Sequence, residues 1–233
     1  MCIDIIQRVF DAHCRLCGAP VSADQPLCSP CLAELPHLQH ACPRCALPLQ
    51  AAVPPGSLCG ECLADPPPFD RARVALHYRE PVNDLVSGFK YHHRLSDGRL
   101  LGQLLAERVL SERPQVGLIL PLPLHPARLR ERGFNQASEL ARMLSRAIGV
   151  PWRSELLQRR QDGQHQRETN KRQRLQNVRK AFACSSLPSR RIAIVDDVIT
   201  TGATARAAAG CVKKAGAEWV EVWAVARTPR PGD

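Results

Sequence analysis

Asp196 and Asp197 lie between a short apolar run and a turn rich in threonine and glycine, in Arg191-Ile-Ala-Ile-Val-Asp-Asp-Val-Ile-Thr-Thr-Gly-Ala-Thr204. Ile192 to Val195 is short, largely β-branched and free of polar residues, the pattern of a fully buried parallel strand. Asp196 and Asp197 then emerge at its carboxyl end, the edge where open α/β sheets bind ligands. Thr200, Thr201, Gly202 and Thr204 follow, and Ala203 to Ala215 is Ala-rich with helical spacing, so the turn feeds a helix start. Backbone N–H groups there can cradle a phosphate, threonine hydroxyls add donors, and Gly202 lets the main chain approach closely. The two carboxylates then face sugar hydroxyls or a hydrated cation, which makes this a sugar-phosphate site. An ordinary strand-to-helix turn with an Asp cap, or a phosphoacceptor Asp pair, are the competing readings; Thr-Thr-Gly-Ala-Thr argues against the second. Neither a Gly-Lys-Ser/Thr nucleotide loop nor a GxGxxG fingerprint occurs.

The second chemistry is carried by sulfur. Of eleven cysteines, nine precede residue 63, and eight of these form CxxC pairs: Cys14/Cys17, Cys28/Cys31, Cys42/Cys45 and Cys59/Cys62. Tetrahedral zinc takes four thiolates, and a CxxC turn brings two of them to one ion. Two structural zinc ribbons are expected, with a single occupied site or redox chemistry as alternatives. Sequential pairing, Cys14/17/28/31 and Cys42/45/59/62, is expected over an interleaved one. Few large apolar residues separate the knuckles, so metal has to hold this segment. Cys2, Cys184 and Cys211 lack a CxxC partner and read as buried or incidental thiols.

The elements that must position these groups are legible from periodicity. The length of 233 residues suits one ordinary domain plus a small one. Residues 1–66 read as the double zinc ribbon, Pro66-Pro67-Pro68 as a stiff linker, and 70–233 as a second domain. There Ala72–Tyr78, Val116–Leu120 and Val220–Val225 pattern as strands, and Val82–Lys90, Leu100–Leu110 and Phe134–Ile148 as amphipathic helices, the last ended by Gly149 and Pro151. Strands alternating with helices predict right-handed crossovers and a parallel sheet. The formal charge of +10 suits an anionic partner, a phosphorylated metabolite or nucleic acid. No apolar run reaches the roughly 18 residues that span a bilayer, and Met1 to Arg15 has polar breaks where a signal peptide needs an apolar core; a cytoplasmic location is expected. The loop after the second strand carries Arg128, Arg130 and Arg132, spaced to hold anionic oxygens near a helix start. Arg159 to Lys180, with eight basic residues against two acidic, reads as a solvated stretch, a nucleic-acid contact or a substrate-closing lid.

The Asp196 segment resembles the 5-phosphoribosyl-1-diphosphate (PRPP) motif of type I phosphoribosyltransferases. That resemblance implies ribose hydroxyls on Asp196 and Asp197 and the 5-phosphate wrapped by Thr200, Thr201, Gly202, Ala203 and Thr204. Together with the CxxC array, Arg-Gly-Phe-Asn-Gln at 132–136, Gln166, Arg172, Asn177-Val178 and Ala181-Phe182, it is similar to the ComF/GntX family over nearly the whole chain. The resemblance implies an α/β fold: a type I phosphoribosyltransferase-like domain with a parallel twisted sheet, preceded by a small double zinc-ribbon module. It also implies a hood loop at 158–177, where Gly163 stands near the usual Thr, and gives Lys90 to the diphosphate or the acceptor. If the protein is a transferase, Mg2+ rides with PRPP, and Arg128, Arg132 and Lys90 stabilise the leaving diphosphate. The family is linked to competence and to handling of single-stranded DNA, so DNA and DNA-uptake proteins are the other implied partners. A non-catalytic DNA-binding adaptor and a nucleotide-salvage transferase of unread acceptor are the alternatives.

Overall fold

The computed structural model describes residues 12–22, 26–160 and 181–230. Its centre is a four-stranded, all-parallel sheet of β3 (Arg71–His77), β4 (Leu118–Pro121), β7 (Arg191–Ile199) and β8 (Trp219–Arg227), in the order β3-β8-β7-β4. Side chains alternate across each strand, and both faces are apolar. Ala193, Val195, Trp223 and Val225 pack against α3 (Val82–Tyr91), α4 (Leu95–Ser111) and α6 (Gln136–Ile148) through Leu85, Leu101, Leu105, Leu140 and Leu144. Ile192, Ile194, Val220 and Val222 pack on the other face against Ala208, Ala209 and Val212 of α7 (Ala203–Lys214). This two-sided burial explains why the strands read as continuous apolar runs.

The sequence segments before residue 64 supply β1 (Ala12–His13), β2 (Pro20–Val21), α1 (Ser29–Ala33) and α2 (Gly60–Ala64). They do not stand off on a linker. Cys14, Leu27 and Leu35 belong to the core on the first sheet face, whereas Leu38 and Ala46 belong to the core on the second. Between them residues 36–38 run antiparallel to β3, with Leu38 N donating to Ala75 O at 2.9 Å and His77 N to Pro36 O at 2.8 Å. That crossing covers the β3 edge, which would otherwise present unpaired backbone groups. Pro67 and Phe69 are themselves buried, so the Pro66–Pro68 stretch lies on the body of the protein.

Three expectations need correction. The strand read as Ile192–Val195 continues to Ile199, because Asp196, Val198 and Ile199 stay paired with Ala224, Ala226 and Arg227; the carboxylates are part of the ladder instead of following it. The basic loop after β4 contains a helix, α5 (Pro126–Arg132), started by Pro126 with the His125 Nδ1 accepting from Ala127 N, and ended by Gly133 at φ 74°. Its seven residues, about two turns, are too few for a periodic signal. At the start of the expected hood, Gln158 and Arg159 belong to β5 (Leu157–Arg159), paired antiparallel with β6 (Phe182–Cys184). The rest of that hood, 161–177, with Gly163, Gln166 and Arg172, lies outside the described residues, as does Cys2.

One polar network crosses the sheet. Arg73 and Glu221, each only 2% exposed, pair at 2.6 Å; Glu112 takes a second Arg73 nitrogen at 2.6 Å, and the indoles of Trp219 and Trp223 donate to Glu221 at 3.1 and 2.8 Å. Burial pushes the Glu221 carboxyl up, but Arg73 and the two indoles outweigh this and hold it below its ordinary value. Its contribution to stability is therefore present above the unfolded carboxyl range, near 4.3, and is lost as pH falls through the lower folded value. Arg73→Ala is expected to cost about 3–5 kcal/mol by stranding a buried carboxylate. Urea unfolding at pH 7 should show that loss, and Glu221→Gln should flatten the acid limb of the stability curve; an unchanged limb would refute the assignment.

Candidate phosphate and zinc sites

Parallel β4 and β7 run toward one edge, with Pro121, the last residue of β4, beside Val195 and β7 continuing to Ile199, so the segments after both strands leave the sheet on the same side. Thr200 to Gly202 turn from β7 into α7. Gly202 adopts the left-handed conformation, φ 77° and ψ 0°, which a residue with a Cβ adopts only under strain. No side chain of the N-cap residue caps α7, and Ala203 N leans on Thr201 Oγ1 at 3.4 Å; the first-turn N–H groups of a helix have no partner within it. A turn of this form can hold a phosphate on backbone N–H groups.

Beneath it, Lys90 at the end of α3 reaches Asp197 Oδ1 at 2.9 Å, and Asp197 N donates to Asp196 Oδ1 at 2.8 Å. Burial first, and the neighbouring Asp197 charge second, push the Asp196 carboxyl up to about 8, against the pull of the Asp197 N–H, Lys90 and Arg132. Arg132, 7% exposed, is held by Gln136 Oε1 at 3.2 Å and Tyr91 Oη at 2.9 Å, with its guanidinium 4.8 Å from the Tyr91 ring centre. Its Nε is buried without a hydrogen-bond partner. Gln136 in turn donates to Lys90 O at 3.4 Å, so it joins the two cationic segments.

Lys90, Arg132, Asp196 and Asp197 are thus brought together beside Thr200, Thr201, Gly202, Ala203 and Thr204. Arg128 is not among them; it is exposed on α5, as is Arg130. Tyr91 and Gln136 act as the supports of Arg132; the motif at 132–136 includes Gln136 without giving it that role, and Tyr91 carries none in the sequence. The four-residue spacing from Arg132 to Gln136 was a visible signal for one; nothing in the sequence placed Tyr91, forty-one residues away, under the same guanidinium.

The cysteines fall into the sequential sets. Cys14, Cys17, Cys28 and Cys31 form one cluster and Cys42, Cys45, Cys59 and Cys62 the other, each with all ligand atoms within 4.8 Å of one another. A zinc–sulfur bond of about 2.3 Å in tetrahedral geometry separates sulfurs by about 3.8 Å. Cys17 and Cys28 are 3.6 Å apart and Cys45 and Cys59 3.5 Å, so the donors fit two structural zinc ions. Burial raises the Cys14 thiol, but the backbone N–H groups of Cys28, Cys17 and Leu16 outweigh it and bring it down to about 6. Both clusters are tied to the sheet domain. Arg15, inside the first knuckle, pairs at 3.2 Å with the fully buried Asp97 of α4, and Arg206 of α7 binds Asp65 just after the second.

Fold and cysteine clusters together define a protein that joins two four-cysteine zinc sites to a parallel α/β sheet covered by helices on both faces. The model of the double zinc ribbon domain family matches residues 5–63. Competence protein F of Haemophilus influenzae is 34% identical over 224 residues, 92% of this chain and 95% of that protein. DNA utilization protein YhgH of Salmonella typhimurium is 34% identical over 223 residues, 92% and 96% of the two chains. At that identity and coverage the chain belongs to the ComF/GntX family. Among solved structures, the glutamine PRPP amidotransferase of B. subtilis, complexed with ADP and GMP, is similar at a TM-score of 0.37 and 22% identity, covering 54% of this chain and 25% of that one. Among the described residues no helix is long and apolar enough to cross a membrane.

Proposed function

We propose that this protein binds PRPP at the carboxyl edge of β7 and acts in the handling of incoming single-stranded DNA. The observation that carries the reading is the Lys90–Asp197 pair, with Asp196 adjoining, on the strand that runs through the Gly202 turn into a helix without a side-chain cap. In this reading the 5-phosphate takes the N–H groups and hydroxyls of residues 200–204, and Asp196 and Asp197 take the ribose hydroxyls. Arg132, with its unpartnered Nε, and Lys90 take the diphosphate; Arg128 reaches it only from the rim. The two carboxylates are hard oxygen donors suited to a hydrated Mg2+ carried in by the diphosphate, whose charge the ion would neutralise. Fixing the sugar on one loop makes attack at C1 by a bound acceptor effectively unimolecular. The names of the relatives, competence and DNA utilization proteins, support the DNA side of the proposal.

A second reading, single-stranded DNA binding without turnover, is favoured by one observation. His92, His93 and Arg94 follow the exposed Tyr91 and are exposed with it, as are Arg99, Arg128 and Arg130, so basic side chains and a ring for stacking are open to solvent. Calorimetric titration of the zinc-loaded protein with PRPP and Mg2+, compared with ribose 5-phosphate, separates the two. Contacts to the diphosphate should make PRPP tighter by about tenfold or more. No heat with either ligand would overturn the PRPP reading, and affinity for oligonucleotides falling steeply with salt would then favour the second.

A further inference from the structure

Arg227, the last residue of β8, is 4% exposed and has no carboxylate partner among the described residues. Nε and one terminal nitrogen of its guanidinium donate to backbone carbonyls. Nε donates to Cys45 O at 3.3 Å, and one terminal nitrogen donates to Ile199 O at 3.1 Å, to Thr228 O at 2.9 Å and to Thr200 O. Cys45 is a ligand of the second four-cysteine cluster, and Ile199 and Thr200 open the loop described above. A buried charge is costly unless it is compensated. A zinc ion on four thiolates carries net negative charge, so the second cluster, which Arg227 reaches through Cys45 O, would supply counter-charge when filled.

We infer that Arg227 is a positioning residue that ties the start of the phosphate loop to the second four-cysteine centre, so that the loop's shape depends on the metal held there. The inference rests on residues 200–204 being a phosphate loop. Without zinc the four-cysteine knuckle loses what holds it together. Arg227 then loses the Cys45 carbonyl as a fixed acceptor, and the carbonyls of Ile199 and Thr200 lose a fixed donor. Lysine keeps the charge but offers no planar fork to span Cys45 and Thr200 together.

Amide hydrogen exchange of residues 200–204 tests this in the full-length, zinc-loaded chain without any ligand, beside titration with ribose 5-phosphate. Arg227→Met, checked to retain both zinc ions, should exchange about tenfold faster in that loop and bind the sugar phosphate about tenfold more weakly. Arg227→Lys should fall between Met and wild type; it carries the test alone if the Met variant does not fold. Cys45→Ser in the second cluster should speed exchange in the same peptide, and adding Arg227→Met to it should add little. Exchange unchanged in both Arg227 variants overturns the inference, as does full additivity with Cys45→Ser. If wild type ignores ribose 5-phosphate while the exchange pattern appears, the tie between metal and loop stands and the phosphate reading falls.

Discussion

Replacing Asp196 and Asp197 together by Asn is expected to abolish PRPP binding while both zinc ions are retained. Asp197 accepts charge-assisted hydrogen bonds worth about 1.5–3 kcal/mol, and Asp196, largely protonated near neutral pH in the free protein, ordinary ones worth about 0.5–1.5 kcal/mol, so losing both weakens affinity on the order of thirty- to a thousandfold. Asn keeps the shape, so the loss reports chemistry at the site. The consequence for stability has the opposite sign at one of the two positions. The Asp196 carboxyl is held up to about 8 by burial and by Asp197, well above its unfolded value near 3.9. The folded state therefore binds the extra proton, and wild type loses stability as pH rises between those values. Asp196→Asn alone removes that titration, so its melting temperature should gain on wild type from pH 5 to pH 8 and run parallel above. Asp197→Asn has no such gain, because Lys90 loses its 2.9 Å partner. Undiminished PRPP affinity in the double variant would remove these carboxylates from the site.

What the sequence made legible follows from which forces are local. Ile192–Val195 and Val220–Val225 were readable as strands because burial on both faces leaves an uninterrupted apolar run. The cysteine sets were readable because knuckle spacing is set by the metal's own geometry. Lys90 came only from family resemblance; its meeting with Asp197 crosses more than a hundred residues and leaves no periodic trace. Arg227 was invisible for a similar reason. It closes an apolar strand as any terminal arginine might, and its four carbonyl partners come from segments as far off as Cys45. The helix α5 was missed because seven residues are too few to show a face. The joining of ribbon and sheet was missed too, since Leu27, Leu35 and Leu38 read as isolated apolar residues until the β3 edge is placed beneath them.

That joining raises what metal removal should do. Stripping zinc with a strong chelator is expected to lower the stability of the whole chain and not of the first sixty residues alone. Structural zinc supplies on the order of 10–16 kcal/mol of apparent binding energy, against about 5–15 kcal/mol for an entire ordinary domain. Here the knuckles also hold Cys14, Leu27 and Leu35 on one sheet face and Leu38 and Ala46 on the other, with residues 36–38 sealing β3. Losing the metal exposes apolar area in both cores and opens that strand edge. The two clusters should differ in what they disturb. Cys14→Ser should disturb α4 through the Arg15–Asp97 pair, leaving Asp97 a buried carboxylate without its counter-charge. Cys42→Ser should spare α4 and disturb the α7 side, where Arg206, Arg227 and Arg230 meet Asp65, Cys45 and Glu61. Thermal unfolding followed with zinc release, and hydrogen exchange of β3 in each variant, reads both effects. A chelated protein that keeps its melting temperature and its protected β3 amides would show that the sheet domain stands without the ribbons.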